Sequence, residues 1–418
     1  MPYDVRNKSE RKEGKKRIEW ALSHMPVLET IRKEFSSKKP LRGTTVGMAL
    51  HVEPKTCALA ITLKAGGAEV AITGCNPLST QDSAAVSLAM DYGVNVFTWY
   101  GETNKEYYRN INKVLDFKPD VVIDDGCDLI FTLHTKRRNL LPNIKGGAEE
   151  TTTGIHRLKV MEQQGELEFP VIDVNDAHTK FLFDNRYGTG QSTIDGILTA
   201  TNLLIAGKTL VVGGYGWCGR GVAMRAKGMG ANVVIAEVDP VHAIEATMEG
   251  FRVMPMKEAA KVGDFFVTAS GNANLLNKSH FRRMKDGAIL ANTGHFNVEI
   301  NLPELKKMSR SVKNVRKDVD EYTLRSGRRI NILSDGRLVN LAAGQGHPAE
   351  VMDMSFSNQA LSCEYIVKNA GDLEPKLYSV PPEIDNRIAR LWLKANKITH
   401  DSLSPEQRKY MSSWRVGT

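Results

Sequence analysis

The chain has 418 residues, 41% of them hydrophobic and 25% charged, with a formal net charge of +8. That length calls for two or three domains, and the composition is that of a globular chain, not a disordered or fibrous one. The polar opening MPYDVRNKSERKEGKK lacks the apolar core of a signal peptide, and no apolar run approaches the roughly 18 residues of a membrane span, so no membrane partner is expected.

In chain order, RKEGKKR near the start is a basic run with an interspersed acid and no aromatic stacking partner. It fits a solvated helix face better than a nucleic-acid surface, and the same reading covers KKMSRSVKNVRKD further on. In PVLETIRKEFS (26–36), Val27, Leu28, Ile31 and Phe35 share one helical face, and Pro26 suits a first turn. The runs TTVGMAL, AEVAITG, VNVFTWY and DVVIDDG then alternate with helical patterns, as buried parallel strands with crossover helices do. A second such series follows: KTLVVGGYG, ANVVIAEVD, DFFVTASG, GAILANTG and RINILSD. Two α/β units are expected, the second over about 187–345. After it, VMDMSFSNQALSCEYIVKN reads as a long amphipathic helix returning to the first unit. Cys57, Cys75, Cys127, Cys218 and Cys363 show neither CxxC spacing nor His partners, which points to reduced thiols in the cytoplasm and to no metal site.

Gly214, Gly216 and Gly219 form GYGWCG between a strand-like and a helix-like segment. Glycines there permit a tight turn and let a pyrophosphate approach the helix N-terminus. Glu237 ends the following strand, where an acid accepts hydrogen bonds from a ribose and repels a 2′-phosphate, so NAD is expected over NADP.

Four polar patches surround this unit: HVEPKT with His51, Glu53, Lys55 and Thr56; IDDGCD with Asp124, Asp125 and Asp128; GGAEETTTG with Glu149, Glu150, Thr151, Thr152 and Thr153; and VNDAHTKFLFDNRYGTG with Asn175, Lys180, Asp184 and Asn185. Singly each has an ordinary explanation: a turn, a cap, or an i,i+4 ion pair on a helix surface. Together, three of them following apolar runs, they suggest a site for a polyhydroxylated ligand at strand C-termini.

These motifs, with NPLSTQD (76–82), GHFNVEI (294–300) and GRLVNLAAGQGHP (336–348), make nearly the whole chain resemble the S-adenosyl-L-homocysteine hydrolases. The resemblance implies two Rossmann-like doubly wound domains. A discontinuous substrate domain (1–186 and 346–390) would flank an inserted NAD-binding domain (187–345), before a C-terminal oligomerisation segment (391–418) of a homotetramer. It implies a bound NAD that oxidises the nucleoside 3′-hydroxyl and is regenerated within each turnover. Between those steps homocysteine leaves by elimination and water adds. It further implies Lys180 and Asp184 at the 3′-hydroxyl, Glu150 at the ribose hydroxyls, and His51 and Asp125 at C4′, the leaving group or water. Asn175 and Asn185 would lie near the nicotinamide. His295 and His347 would line the nucleoside pocket, His295 with Phe296 forming a gate. Thr151, Thr152, Thr153, Glu237 and Asn340 would hold NAD. Hinges would fall near 178–188 and 345–348.

Two features depart from the common family pattern. The chain ends QRKYMSSWRVGT without the extension whose Lys and Tyr clamp a neighbour's NAD, so that clamp is not implied here. HVEPKT also replaces the usual HMT segment. Glu53 accepting from N1–H and Lys55 donating to O6 would suit the hypoxanthine of S-inosyl-L-homocysteine. Alternatively, the two side chains pair with each other, or Lys55 replaces a cation, and the base is adenine. A plain NAD-dependent dehydrogenase would not need the EETTTG and TKFLFDN patches, and a non-catalytic relative would have lost some of these groups.

Overall fold

A computed structural model describes residues 2–415. The last three residues of the expected 391–418 segment lie outside the described residues. The chain forms two α/β units, each built around its own sheet.

The first sheet takes β1 (Thr45–Ala49), β2 (Glu69–Thr73), β3 (Asn95–Phe97), β4 (Val121–Asp124), β5 (Gly146–Glu149) and β6 (Val171–Asp173). The second takes β7 (Thr209–Gly213), β8 (Asn232–Ala236), β9 (Arg252–Val253), β10 (Phe265–Thr268), β11 (Ala288–Asn292), β12 (Ser309–Arg316), β13 (Val319–Leu324) and β14 (Arg329–Leu333). The chain then returns to the first sheet with β15 (Leu377–Ser379), giving the order β15-β6-β5-β4-β1-β2-β3, parallel throughout. The second sheet runs β12-β13-β14-β11-β10-β7-β8-β9, parallel except for the β12–β13–β14 meander.

Continuous apolar runs become buried parallel strands because helices cover both faces. Val46 and Met48 of β1 pack into the core on one face, and Ala49 with Val122 of β4 into the core on the other. In the second sheet Leu210 and Val212 face one core and Val211 the other.

The strand order reverses direction beside β1 in the first sheet and beside β7 in the second. Parallel sheets open a crevice at such a point, beyond the strand C-termini. Ala49 pairs with Asp124 across β1 and β4, so His51 and Asp125 leave the sheet side by side at that crevice.

Two expectations need correction. KKMSRSVKNVRKD is largely not a helix face: its centre is β12, an edge strand. Val312 and Val315 suit extended backbone, and Arg310, Lys313 and Arg316 protect an open sheet edge with charge. The late helix Ala349–Lys368 is not amphipathic in its first half, since every residue from Met352 to Cys363 is buried. It runs through the first unit, against β5 and the helices Pro26–Lys38 and Pro54–Ala65, and Asp353, Ser355, Asn358 and Gln359 on it meet polar partners inside.

Candidate active site

A small cavity lies between the two units. His51, Glu53, Thr56, Asp125, Glu150, Thr151, Thr152, Lys180, Asp184, Asn185, His295, Asn340 and His347 all line it. They come from the ends of β1, β4, β5 and β11, from the start of helix Pro54–Ala65, from the turn His178–Lys180 and the Phe181–Gly188 segment after it, and from the stretch before helix Ala349–Lys368.

Lys180 is the centre of charge. Phe181–Gly188 is a π-helix, a wider turn often found at functional sites. Lys180 Nζ donates to Asn185 Oδ1 at 2.7 Å and lies 3.5 Å from Glu150 Oε1 and 3.6 Å from Asp184 Oδ2. Lys180 and Asp184, which sequence spacing alone also allowed as a surface pair, are both buried. Burial opposes the ammonium charge, but Asp184, Glu150 and Asp125 outweigh it and hold the Lys180 pKa above its ordinary value. Burial likewise opposes the Asp184 charge, yet Lys180 and His347 keep its pKa below the usual carboxylate range. His347 Nδ1 meets Asp184 Oδ1 at 2.9 Å, and Ser355 Oγ donates to Asp184 Oδ2 at 2.7 Å.

Glu150 behaves oppositely. Burial pushes its carboxyl up to about 8, despite Lys180 nearby. Gln359 Nε2 donates to Oε2 at 2.6 Å, while the buried Oε1 has no hydrogen-bond partner. Two neighbouring carboxyl groups are therefore set to different protonation states at neutral pH, an arrangement typical of acid–base sites.

On the other wall, His51 Nε2 stands 3.4 Å from Asp125 Oδ2 and His295 Nδ1 3.5 Å from Asp125 Oδ1. Burial and His347 bring His51 down to about 3, and burial brings His295 to about 4 although Asp125 opposes it. Both rings are neutral at pH 7, so these contacts join neutral imidazoles to a carboxyl and are not ion pairs. Burial also raises the Asp125 pKa, against His295 and Lys180. His295 follows β11 of the second sheet and Asp125 follows β4 of the first, so their contact closes the cleft.

At the third side, Glu53 is the N-cap of helix Pro54–Ala65 and accepts from the Thr56 and Lys55 amides. Lys55 Nζ lies 2.5 Å from Glu53 Oε2 and donates to the Gln345 carbonyl at 3.0 Å. Glu53 and Thr56 line the central cavity, whereas Lys55 lines the adjoining one.

Residues 2–140 match the family model of S-adenosyl-L-homocysteine hydrolase, and residues 185–346 match that of its NAD binding domain. The chain belongs to this family. It is 62% identical to the S-inosyl-L-homocysteine hydrolase of Methanocaldococcus jannaschii, with 100% of both chains covered. It is 58% identical to the adenosylhomocysteinase of Aquifex aeolicus, again covering 100% of each. Against the S-inosyl-L-homocysteine hydrolase of Methanococcus maripaludis the identity is 58%, over 99% of this chain and 100% of that one. The protein is thus an NAD-dependent hydrolase of adenosylhomocysteinase type, acting on a nucleosyl-homocysteine thioether.

Its hydrolase site fits the cofactor. Gly214 has φ 102°, and a side chain on Gly219 would collide with the Gly214 carbonyl, so both are committed to the tight turn. Gly216, the N-cap of helix Trp217–Gly228, has open space where a Cβ would stand, leaving room for a pyrophosphate. Glu237 accepts from the amides of Tyr215, Val238 and Asp239, which fixes its carboxylate at the turn. Asn340 keeps a buried Oδ1 without a partner. Thr152 Oγ1 donates to Asn175 Oδ1 at 3.2 Å, and Asn185 Nδ2 donates to the same oxygen at 3.0 Å. Thr153 follows in the Thr152–Gln163 helix, outside the cavity lining.

Sequence reasoning missed several groups here. Ser355 and Gln359 sit on the helix taken for amphipathic, where polar residues look like an outer face. Thr189, Cys218, Thr293, Met352 and Phe356 also line the cavity. Thr189 and Thr293 fall inside quoted motifs without being singled out, and Cys218 reads only as one of five reduced thiols, not as a lining residue.

Proposed function

We propose that the enzyme cleaves S-inosyl-L-homocysteine in preference to S-adenosyl-L-homocysteine. The observation that carries this is the Glu53–Lys55 pair, an acceptor at the wall of the central cavity beside a donor that lines the adjoining one. Hypoxanthine presents N1–H and O6, the complementary pair, whereas adenine presents a bare N1 and an amino group. Facing adenine, the lysine would set donor against donor, which costs roughly 1–3 kcal/mol when buried. Relatives named for the inosyl substrate, at 62% and 58% identity, support the reading. Thiol release from the two substrates tests it: wild type should favour the inosyl compound about five- to 150-fold in kcat/KM, and Lys55→Gln should erode that preference. Equal cleavage of both substrates by wild type, with Lys55→Gln neutral, would refute it.

In this reading residues 1–186 and 346–390 hold the substrate and 187–345 hold NAD, which Thr151, Thr152, Thr153, Asn185, Glu237, Asn340 and the Gly214–Gly219 turn would bind. When bound, NAD supplies a hydride acceptor and donor at the ribose 3′ carbon, which makes the neighbouring C4′ proton acidic. Lys180 Nζ, held charged, would orient the 3′ oxygen, and the ionised Asp184 carboxylate beside it would accept the hydroxyl proton. Glu150, protonated at neutral pH, donates to a ribose hydroxyl. His51 Nε2 and Asp125 exchange protons at C4′ and at the leaving sulfur or incoming water. His295 and Phe296 close the cleft and exclude bulk water, with hinges at the Phe181–Gly188 π-helix and at 345–348.

Self-association as a homotetramer belongs to the same proposal. Val241, Ile244 and Met248 form an exposed apolar stripe on helix Pro240–Met248, and Leu204 is exposed as well. Helix Pro405–Met411 buries none of its residues within its own chain, which suits an oligomerisation segment. Light scattering of Ile244→Asp should show loss of the largest assembly. The five cysteines are free, in keeping with a reducing cytoplasm.

A further inference from the structure

His51 can act at the reacting face only if Nε2 carries its lone pair, and a neutral imidazole has one proton to place. Its second nitrogen decides the matter. His51 Nδ1 lies 2.6 Å from Ser79 Oγ and 3.2 Å from Cys75 Sγ. The Ser79 hydroxyl spends its own hydrogen on the Asn76 carbonyl at 3.1 Å, so it offers lone pairs to the ring. Both Ser79 and Cys75 are buried beneath His51 and neither lines the cavity, so they act on the reaction only through the imidazole.

We propose that Ser79 is a positioning residue that fixes His51 as its Nδ1–H tautomer, aiming a bare Nε2 at Asp125 and the reacting atoms. The Asn76 carbonyl, Ser79 hydroxyl and His51 ring are hydrogen-bonded in series, and Asp125 Oδ2 stands 3.4 Å from Nε2 at the far side of the ring. With Nδ1–H donating to Ser79, Nε2 accepts a proton from Asp125 or from substrate without rotating the ring. The other titratable groups around His51 are His295, with ring centroids 5.7 Å apart, His347 and the Cys75 thiol. Burial raises the Cys75 pKa, so it remains a thiol and a weak acceptor that cannot replace the serine. The ligand-capable atoms of His51, Cys75 and Asp125 lie within 4.8 Å of one another, because Cys75 and Asp125 flank the two nitrogens of the His51 ring.

The inference rests on His51 acting in the cleavage half of the reaction, and the experiment separates the two ideas. Ser79→Ala holoenzyme should lose about ten- to hundredfold in kcat for thioether cleavage with KM little changed. Reduction of bound NAD by free inosine, which depends on Lys180 and Asp184, should be retained, and Ser79→Thr should restore cleavage. Nitrogen NMR of histidine-labelled wild-type holoenzyme should find His51 protonated at Nδ1, a readout that does not depend on the variant folding. A proton on Nε2 in wild type, or Ser79→Ala with unchanged cleavage while His51→Ala is inactive, would overturn the role of Ser79. Full cleavage by His51→Ala would instead overturn the function assigned to His51.

Discussion

Lys180 keeps its charge in a buried place because acidic groups surround it, Asp184 foremost, and that balance makes the site testable one residue at a time. Lys180→Ala and Asp184→Ala should each lower turnover about 10²- to 10⁴-fold, the range for lost acid–base help. NAD should remain bound in both, as nucleotide released on denaturation will report; near-normal turnover would remove that residue from the proton path. Glu150 gives a pH signature. Its folded pKa is about 8, above the roughly 4.3 of an unfolded chain. Between those values the folded state holds a proton that the unfolded state has lost, so wild type loses stability as pH rises. Glu150→Gln escapes this loss. The melting temperature of Glu150→Gln minus that of wild type should therefore grow from about pH 5 to pH 8 and level off above. A difference independent of pH would mean Glu150 stays ionised in the folded protein.

Among the elements, the short helical turn His178–Lys180 and the π-helix after it present Lys180, Asp184 and Asn185 to the cavity, and a residue more than two hundred positions away fixes their start. Asp385, on helix Pro382–Ala395, accepts from the His178 amide at 3.0 Å and the Thr179 amide at 2.9 Å, and also from the Thr179 hydroxyl. Asp385→Ala should cost about 1–3 kcal/mol in stability by leaving those amides unpaired. It should also lower kcat more than it raises KM, because Lys180 loses its anchor. Thermal melts and steady-state kinetics measure both, and a variant with unchanged kcat would limit Asp385 to stability.

The sequence made other elements plain and hid this one. DVVIDDG and KTLVVGGYG read as buried strands because their apolar runs are continuous, and both the strands and the glycine turn are present. GGAE, which becomes β5, has no such run, since its glycines let neighbouring side chains close over the strand. The wide turn at Phe181–Gly188 depends on the Lys180–Asn185 bond and on helix Trp217–Gly228 approaching the Arg186 carbonyl at Gly221, contacts that no local pattern encodes. Likewise HVEPKT named Glu53 and Lys55, but not that Lys55 would turn towards the adjoining cavity.

At the scale of the whole molecule, the two sheets meet across one cleft, with Asp125 and His295 in contact from opposite sides. The first sheet is completed only by the end of the chain. β15 adds to its edge, and helix Ala349–Lys368 supplies Asp353 to the Val27 and Leu28 amides, Asn358 to Thr179, and Gln359 to Glu150. During synthesis, then, roughly the first half of the protein leaves the ribosome without its central helix. It must wait, with apolar surface uncovered, while the whole cofactor unit emerges, and closing so long a loop is slow. A fragment ending at residue 186 should be protease-sensitive and prone to aggregate. A fragment covering 187–345 should resist proteolysis, because all eight strands of its sheet are local. On that order of emergence the 187–345 unit should be the earliest stable part of the nascent chain, and the first 186 residues the part most dependent on chaperones.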